Sequence, residues 1–267
     1  MDAVRRRHPA PPADVRPRDA GRVSGRVFTP GGATPVVNLE FDEFRLAAST
    51  ADLSEEPAAR EHADCVEFRM DLADAPLDAL AAYDGSLPLL VTNRPRWEGG
   101  ETRPDGRLDA LAAAVDHKAV AAVDVELATL RGRPTGENDA SVADLVGRAR
   151  EAGVTVVASV HDFAATPDPR TLDALSAAAA RAGDVGKLAV TASDRDDALA
   201  LLSATHRATR RGERVATMAM GEAGRHTRAV APVYGSRIGY APVRPEAATA
   251  PGQYDLATLR ELVESLA

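Results

Sequence analysis

Asp184-Val-Gly-Lys-Leu-Ala-Val-Thr191 has the length and boundaries of a buried strand, and an Ala-rich helical run, Asp168–Ala182, stands immediately before it. Lys187 sits in its middle. Of the 32 basic residues in the chain only two are lysines, Lys187 and Lys118. A composition that uses arginine almost everywhere has kept an amine in an apolar strand. Arginine cannot form an imine, and a desolvated lysine can. A strand-end lysine snorkelling to water is the plainer reading of this segment alone, so the neighbouring segments decide.

Outward from this stretch, strand-like and helix-like segments alternate. The strands are expected at Phe44–Ser49, Cys65–Asp71, Pro88–Arg94, Ala122–Leu127, Val154–Asp162, Val185–Thr191, Arg214–Met220 and Ser236–Tyr240. The helices are expected at Glu55–His62, Ala75–Tyr83, Leu108–Val120, Ser141–Ala152, Asp168–Ala182, Ser193–Thr209, Arg225–Tyr234 and Asp255–Leu266. Eight of each in about 230 residues predict an α/β chain folded as a single (β/α)8 TIM barrel over 39–267. A doubly wound open sheet is the rival. Neither a Gly-x-Gly-x-x-Gly turn nor a Walker loop follows any strand, which leaves a nucleotide-binding version of that rival without support.

Period-two alternation puts charge on one face of the strands. Val66, Phe68 and Met70 oppose Glu67, Arg69 and Asp71. Val123, Val125 and Leu127 oppose Asp124 and Glu126. Leu89 and Val91 oppose Thr92 and Arg94, Val156 and Ala158 oppose Ser159 and His161, and Leu188 and Val190 oppose Lys187. With the apolar face against the helices, the barrel interior would hold Glu67, Arg69, Asp71, Arg94, Asp124, Glu126, His161 and Lys187, mostly near strand C-termini, where barrel active sites form. Unpaired, each such charge would cost several kcal/mol. A wet antiparallel sheet would tolerate these residues but not the helices between every pair of strands.

Composition narrows the chemistry. The single Cys65 excludes an internal disulfide framework and a thiolate zinc cluster, and fits a reducing cytoplasm. The histidines show no metal-ligand spacing, so no metal is expected. His62, His117, His206 and His226 read as solvated, Tyr240 and Met218 as packing, and Arg96 and Arg103 as surface charge. Nothing approaches a membrane span. Residues 1–38 carry seven Arg against three Asp, with six Pro and four Gly, and should be a disordered or loosely attached extension; a start assigned too early would explain them equally. The remainder carries 25 basic and 37 acidic residues, which argues against nucleic acid as a partner. What is left is one amine, one imidazole, arginines for an anionic small molecule, and carboxylates: the ingredients of imine chemistry with proton transfer.

The motifs then align with a known family. Glu67-Phe-Arg69-Met-Asp71, Thr92-Asn-Arg94 with Glu98-Gly99-Gly100, Asp124-Val-Glu126-Leu127, Ser159-Val-His161-Asp162-Phe163, Gly186-Lys187, Met220-Gly221 with Thr227-Arg228, Tyr234-Gly235-Ser236 and Pro251-Gly252-Gln253 come in the order seen in type I 3-dehydroquinate dehydratases. Each is weak alone; eight in order are specific. The resemblance covers about 39–267. It implies loss of water from 3-dehydroquinate to give 3-dehydroshikimate, without a cofactor, in a homodimer. It further implies that Lys187 forms the imine, that His161 is the general acid and base, and that Glu98 orients and tunes His161. Glu67, Arg69, Arg94 and Ser49 would contact the substrate, Arg228 would take its carboxylate, Met220 and Phe163 would pack on its ring, and Thr249 and Gln253 would close the site. Two departures keep a hydroxyl: Thr227 and Thr249 stand where the family often has Ser. The segment from Tyr240 to Gln253 is slightly longer than in bacterial members. An imine-forming aldolase would share Lys187 but would need a phosphate cradle after the seventh and eighth strands, where Arg228 and Gln253 stand instead.

Overall fold

The computed structural model describes residues 39–244, Glu246 and residues 252–267. The extension at 1–38 and the closing-loop residue Thr249 lie outside the described residues. Eight parallel strands form the sheet: β1 (Arg45–Thr50), β2 (Cys65–Arg69), β3 (Leu89–Thr92), β4 (Val120–Glu126), β5 (Thr155–Asp162), β6 (Val185–Thr191), β7 (Val215–Met220) and β8 (Ile238–Pro242). Their order is sequential, with β8 returning to pair with β1 from Arg45↔Ile238 to Ser49↔Pro242. Between β7 and β8 the ring closes through a single bridge, Val215↔Ser236, the Arg237 N–H donating to the Val215 carbonyl at 2.7 Å. The Ser236 hydroxyl also accepts the Thr217 N–H at 2.9 Å. This is the expected (β/α)8 barrel.

The helices are α1 (Glu56–Ala59), α2 (Pro76–Ala81), α3 (Arg107–Val115), α4 (Leu127–Leu130), α5 (Asp139–Ala152), α6 (Pro169–Ala182), α7 (Arg195–Arg210), α8 (Thr227–Val230) and α9 (Leu256–Leu266). The long ones carry their own start signals. Asn138, Asp168, Asp194 and Asp255 each accept a backbone N–H of the first turn, and Pro169 follows Asp168 directly. The helix expected over Arg225–Tyr234 is instead α8 followed by a 3-10 turn, Ala231–Tyr234, because Pro232 can donate no bond to continue it. The short α4 was not expected.

The alternation holds. Val66, Phe68, Leu89, Val91, Val123 and Val125 are buried against α2, α3 and α5 residues such as Leu80, Leu111 and Leu145. Leu188, Val190 and Ala219 pack against α6 and α7 through Leu172 and Leu201. A fully buried Leu or Phe of this kind contributes roughly 1.5–3 kcal/mol. The inner face is divided in a way the alternation did not anticipate. Its lower half is an apolar plug of Cys65, Leu90, Val157, Val185, Ala216 and Ile238, floored by Leu39 and Phe41. Charge is confined to the upper half.

Two strand ends are corrected. Arg94 lies beyond β3, which ends at Thr92, and Asp71 is not a strand residue either: β2 ends at Arg69, and Asp71 lies in the 3-10 turn Met70–Leu72. From there it clamps Arg69 with two bonds, Nε–Oδ1 at 2.8 Å and Nη2–Oδ2 at 2.7 Å.

Candidate active site

The site is a cavity of about 550 Å³, its open mouth included, at the C-terminal end of the barrel; its walls include Glu67, Arg94, His161, Lys187, Arg228 and Gln253. Six strands, the segments that follow β3, β5 and β8, and the helix α8 supply the walls, so only the closed barrel brings them together. Of the residues singled out from sequence, Arg69, Glu98, Phe163 and Met220 also line it. Ser49 does not. It is buried behind Glu67 and donates to the Glu67 carboxylate at 2.6 Å, while Thr92 donates to the other oxygen at 3.0 Å.

Lys187 is 4% exposed. Its Nζ donates to Asp124 Oδ2 at 2.9 Å, lies 3.9 Å from Glu67 Oε1, and stands 4.2 Å above the centre of the Tyr240 ring. Asp124 also accepts from the Ser159 hydroxyl at 2.6 Å and from Arg94 Nη2 at 2.8 Å. Burial opposes its charge, but Arg94 and Lys187 outweigh burial and hold the carboxyl well below the usual range. Both terminal nitrogens of Arg94 are engaged. Its Nη1 donates to Glu126 at 2.7 Å and to Ser159 at 2.7 Å, and Glu98 lies 3.6 Å away.

His161 Nδ1 sits 2.9 Å from Glu98 Oε2. Burial first, then the positive charges of Arg94 and Lys187, push the imidazole well below its ordinary value, so it stays neutral. Glu98 reaches it because the chain doubles back after β3. Gly100 packs so closely on the Arg94 carbonyl that no side chain fits, and Gly99 has φ +79° with the Phe163 ring where its Cβ would be. Phe163, half exposed, stacks on His161 with ring centres 6.0 Å apart.

Burial pushes the Glu98 carboxyl up to about 8, Glu126 and Asp124 adding to the rise and Arg94 opposing it. A carboxyl that binds its proton more tightly in the folded state costs stability as pH rises from the usual carboxylate range to that value. Replacing it by Gln keeps the shape and removes the cost. The melting temperature of Glu98→Gln relative to the parent should therefore climb between about pH 5 and pH 8. Thermal melts at the two ends check this; a gap that does not change with pH refutes it.

Arg228 is the exception to the pairing. It is 4% exposed, lines the cavity, and forms no ion pair with a carboxylate among the described residues; its Nε has no hydrogen-bond partner. Burial lowers the guanidinium to about 10. A buried cation without a counter-ion is prepared for an anion from outside.

Sequence reasoning undervalued three groups. Asp124 and Glu126 were placed inward but given no role, yet they organise Arg94 and Lys187. Tyr240 was read as packing; it lines the cavity, and its hydroxyl has no partner among the described residues. Its spacing from the inward Ile238 was the available signal. Met218, read likewise, lines the cavity too, whereas Arg96 and Arg103 are exposed as expected. Cys65 begins β2 in the apolar plug, where burial raises its thiol far above the ordinary value.

A family model described as Type I 3-dehydroquinase matches residues 46–267. A 3-dehydroquinate dehydratase of Haloarcula marismortui is 60% identical over 230 residues, covering 85% of this chain and 98% of that protein. Another, of Halobacterium salinarum, is 52% identical and is covered over its full length. Among solved structures, 3-dehydroquinate dehydratase from Geobacillus kaustophilus superposes with a TM-score of 0.72 at 30% identity, over 84% of this chain and 91% of that one.

Proposed function

The chain belongs to the type I 3-dehydroquinase family and dehydrates 3-dehydroquinate to 3-dehydroshikimate, a step of the shikimate pathway, and from that premise we propose that it does so through an imine on Lys187, with His161 as the proton shuttle. The observation that carries this is the single cavity in which a buried lysine, a neutral imidazole and an uncompensated arginine face one another.

Arg228 takes the substrate carboxylate, supported by its buried Nε without a hydrogen-bond partner among the described residues. The Lys187 ammonium loses its proton and the amine adds to the ketone. The carbinolamine then expels the ketone oxygen as water, leaving an iminium. His161 removes the proton on the adjacent carbon, and the electron pair passes into the enamine. Return of the electrons expels the β-hydroxyl, protonated by the imidazolium, as a second water. Hydrolysis of the imine consumes one water, so one is released overall, and Lys187 is regenerated. Glu98 holds the ring of His161 through Nδ1, which leaves Nε2 for the substrate. Glu67 and Arg69 meet the ring hydroxyls, Ser49 acting through Glu67. Arg94, with its donors committed to carboxylates, serves chiefly to hold Asp124 and Glu126. Met220 and Phe163 bound the ring, and Gln253 closes the last loop.

Borohydride added with 3-dehydroquinate should fix a covalent adduct on the peptide containing Lys187. An unmodified chain, or an adduct on the exposed Lys118, refutes the mechanism. We also take residues 39–267 to suffice for activity, which deletion of 1–38 checks. A homodimer in the cytoplasm is inferred from the family resemblance; a sedimentation run at the monomer mass removes the dimer. No helix among the described residues is long and apolar enough to cross a membrane.

A further inference from the structure

Arg107 is the first residue of α3, where a positive side chain opposes the helix dipole. It is nevertheless 1% exposed. Its Nη2 pairs with Glu126 Oε2 at 2.8 Å by charge alone, without hydrogen-bond geometry, its Nη1 donates to the Asn93 carbonyl at 2.7 Å, and its Nε and Nη2 both meet Glu137. Glu137 comes from the loop between α4 and α5 and is fixed in turn by the Thr129 hydroxyl at 2.7 Å and that of Thr135 at 3.2 Å.

Glu126 thus stands between two guanidiniums, Arg107 on one oxygen and Arg94 on the other. Arg94 continues to Asp124, and Asp124 to Lys187. The result is a buried row of alternating charge: Glu137, Arg107, Glu126, Arg94, Asp124, Lys187. Only the last of these is the amine; of the six, Arg94 and Lys187 line the cavity, and the other four lie behind its walls. In so poorly solvated a row, a charge at one end is felt at the other. The groups that face Lys187 are Asp124 on β4, Glu67 on β2, Arg94 beyond β3 and the Tyr240 ring on β8, with His161, Glu98, Arg69 and Arg228 elsewhere on the cavity wall. All take their charge balance from the same enclosed set.

We propose that Arg107 is a positioning residue for the reaction: with Glu137, it sets the charge at the far end of this row and so fixes the pH at which the lysine becomes reactive. A positive charge there favours loss of a proton from every group in the cavity, and a negative charge opposes it. Glu137 also ties the α4–α5 loop to this setting, so the state of that loop is reported to the amine. The inference rests on the reading of Lys187 as the imine-forming residue, which the borohydride adduct tests separately; a chain that forms the adduct but fails the test below loses only this inference.

The test compares Arg107→Met with Glu137→Gln in the full chain, following kcat/KM for 3-dehydroquinate against pH. Loss of Arg107 should move the midpoint of the acid limb to higher pH, and loss of Glu137 to lower pH, so that the two differ by roughly half a unit or more. Arg107→Lys keeps the charge and should keep the wild-type midpoint. A merely structural Arg107 would lower the melting temperature of both variants without parting their midpoints. Coincident midpoints, or midpoints in the reverse order, overturn the proposal. If Arg107→Met does not fold, wild type takes its place in the comparison, and Glu137→Gln must then fall below it.

Discussion

Lys187→Met should lose turnover by about 10⁴-fold or more and give no borohydride adduct. The substitution keeps the stem volume and removes the amine. Taking one partner from a buried ion pair usually costs about 3–5 kcal/mol, because the other charge is stranded. Here Asp124 keeps Arg94 at 2.8 Å and Ser159 at 2.6 Å, so the carboxylate is not stranded and the barrel should still form. Lys187→Arg makes the sharper comparison. It preserves the charge and can pair with Asp124, but a guanidinium does not form an imine. Equal inactivity of the two variants, both folded by circular dichroism, assigns the loss to the missing amine. Turnover within tenfold of wild type in either one would end the imine mechanism.

His161→Ala should behave differently. Amine attack on the ketone does not need the imidazole as a bond-forming partner, so an adduct should still accumulate, if slowly. Removal of the adjacent proton and departure of the hydroxyl do need it, and turnover should fall by about 10²–10⁴-fold. Burial and the neighbouring charges hold His161 well below its ordinary value, so in the wild type it remains a base at pH values where a free imidazole would already be charged. The acid limb of the wild-type profile should therefore not fall at the ordinary histidine value. Loss of trapping and of turnover in equal proportion would restrict His161 to imine formation; unchanged turnover would remove it from the reaction.

Much of this arrangement was legible because parallel strands alternate strictly. Glu67, Asp124 and Glu126 each follow from the apolar neighbour on either side, His161 and Lys187 from the alternation of Val160, Leu188 and Val190, and the helices that separate the strands leave one place for the charge. Asp71 misled because alternation was carried one turn past the end of β2, where a 3-10 turn had begun. Arg107 was invisible for the opposite reason. It opens a helix, where a basic residue reads as solvated, and its burial depends on Glu137, 30 positions further along the chain. Pairing between side chains so far apart has no periodicity to betray it. The division of the interior into an apolar floor and an ionic roof was written in Cys65, Leu90, Val157 and Val185, but it becomes visible only once the register between strands is known.

The barrel's one weak seam has a consequence for how the enzyme yields. Strands β4 to β6 carry the amine, the imidazole and the carboxylates Asp124 and Glu126, and from β1 to β6 each neighbouring pair is stitched by a ladder of at least four paired residues. Between β7 and β8 a bridge and the Ser236 hydroxyl do that work, and Arg228, on α8, and Gln253, on the last loop, follow those two strands. Local opening is governed by such differences in backbone bonding. Amide hydrogens of Thr217 and Arg237 should exchange with solvent ahead of those in β4 to β6, as deuterium uptake can show. The molecule would then be stiff where bonds are made and broken, and compliant where the substrate's carboxylate is taken in and let go.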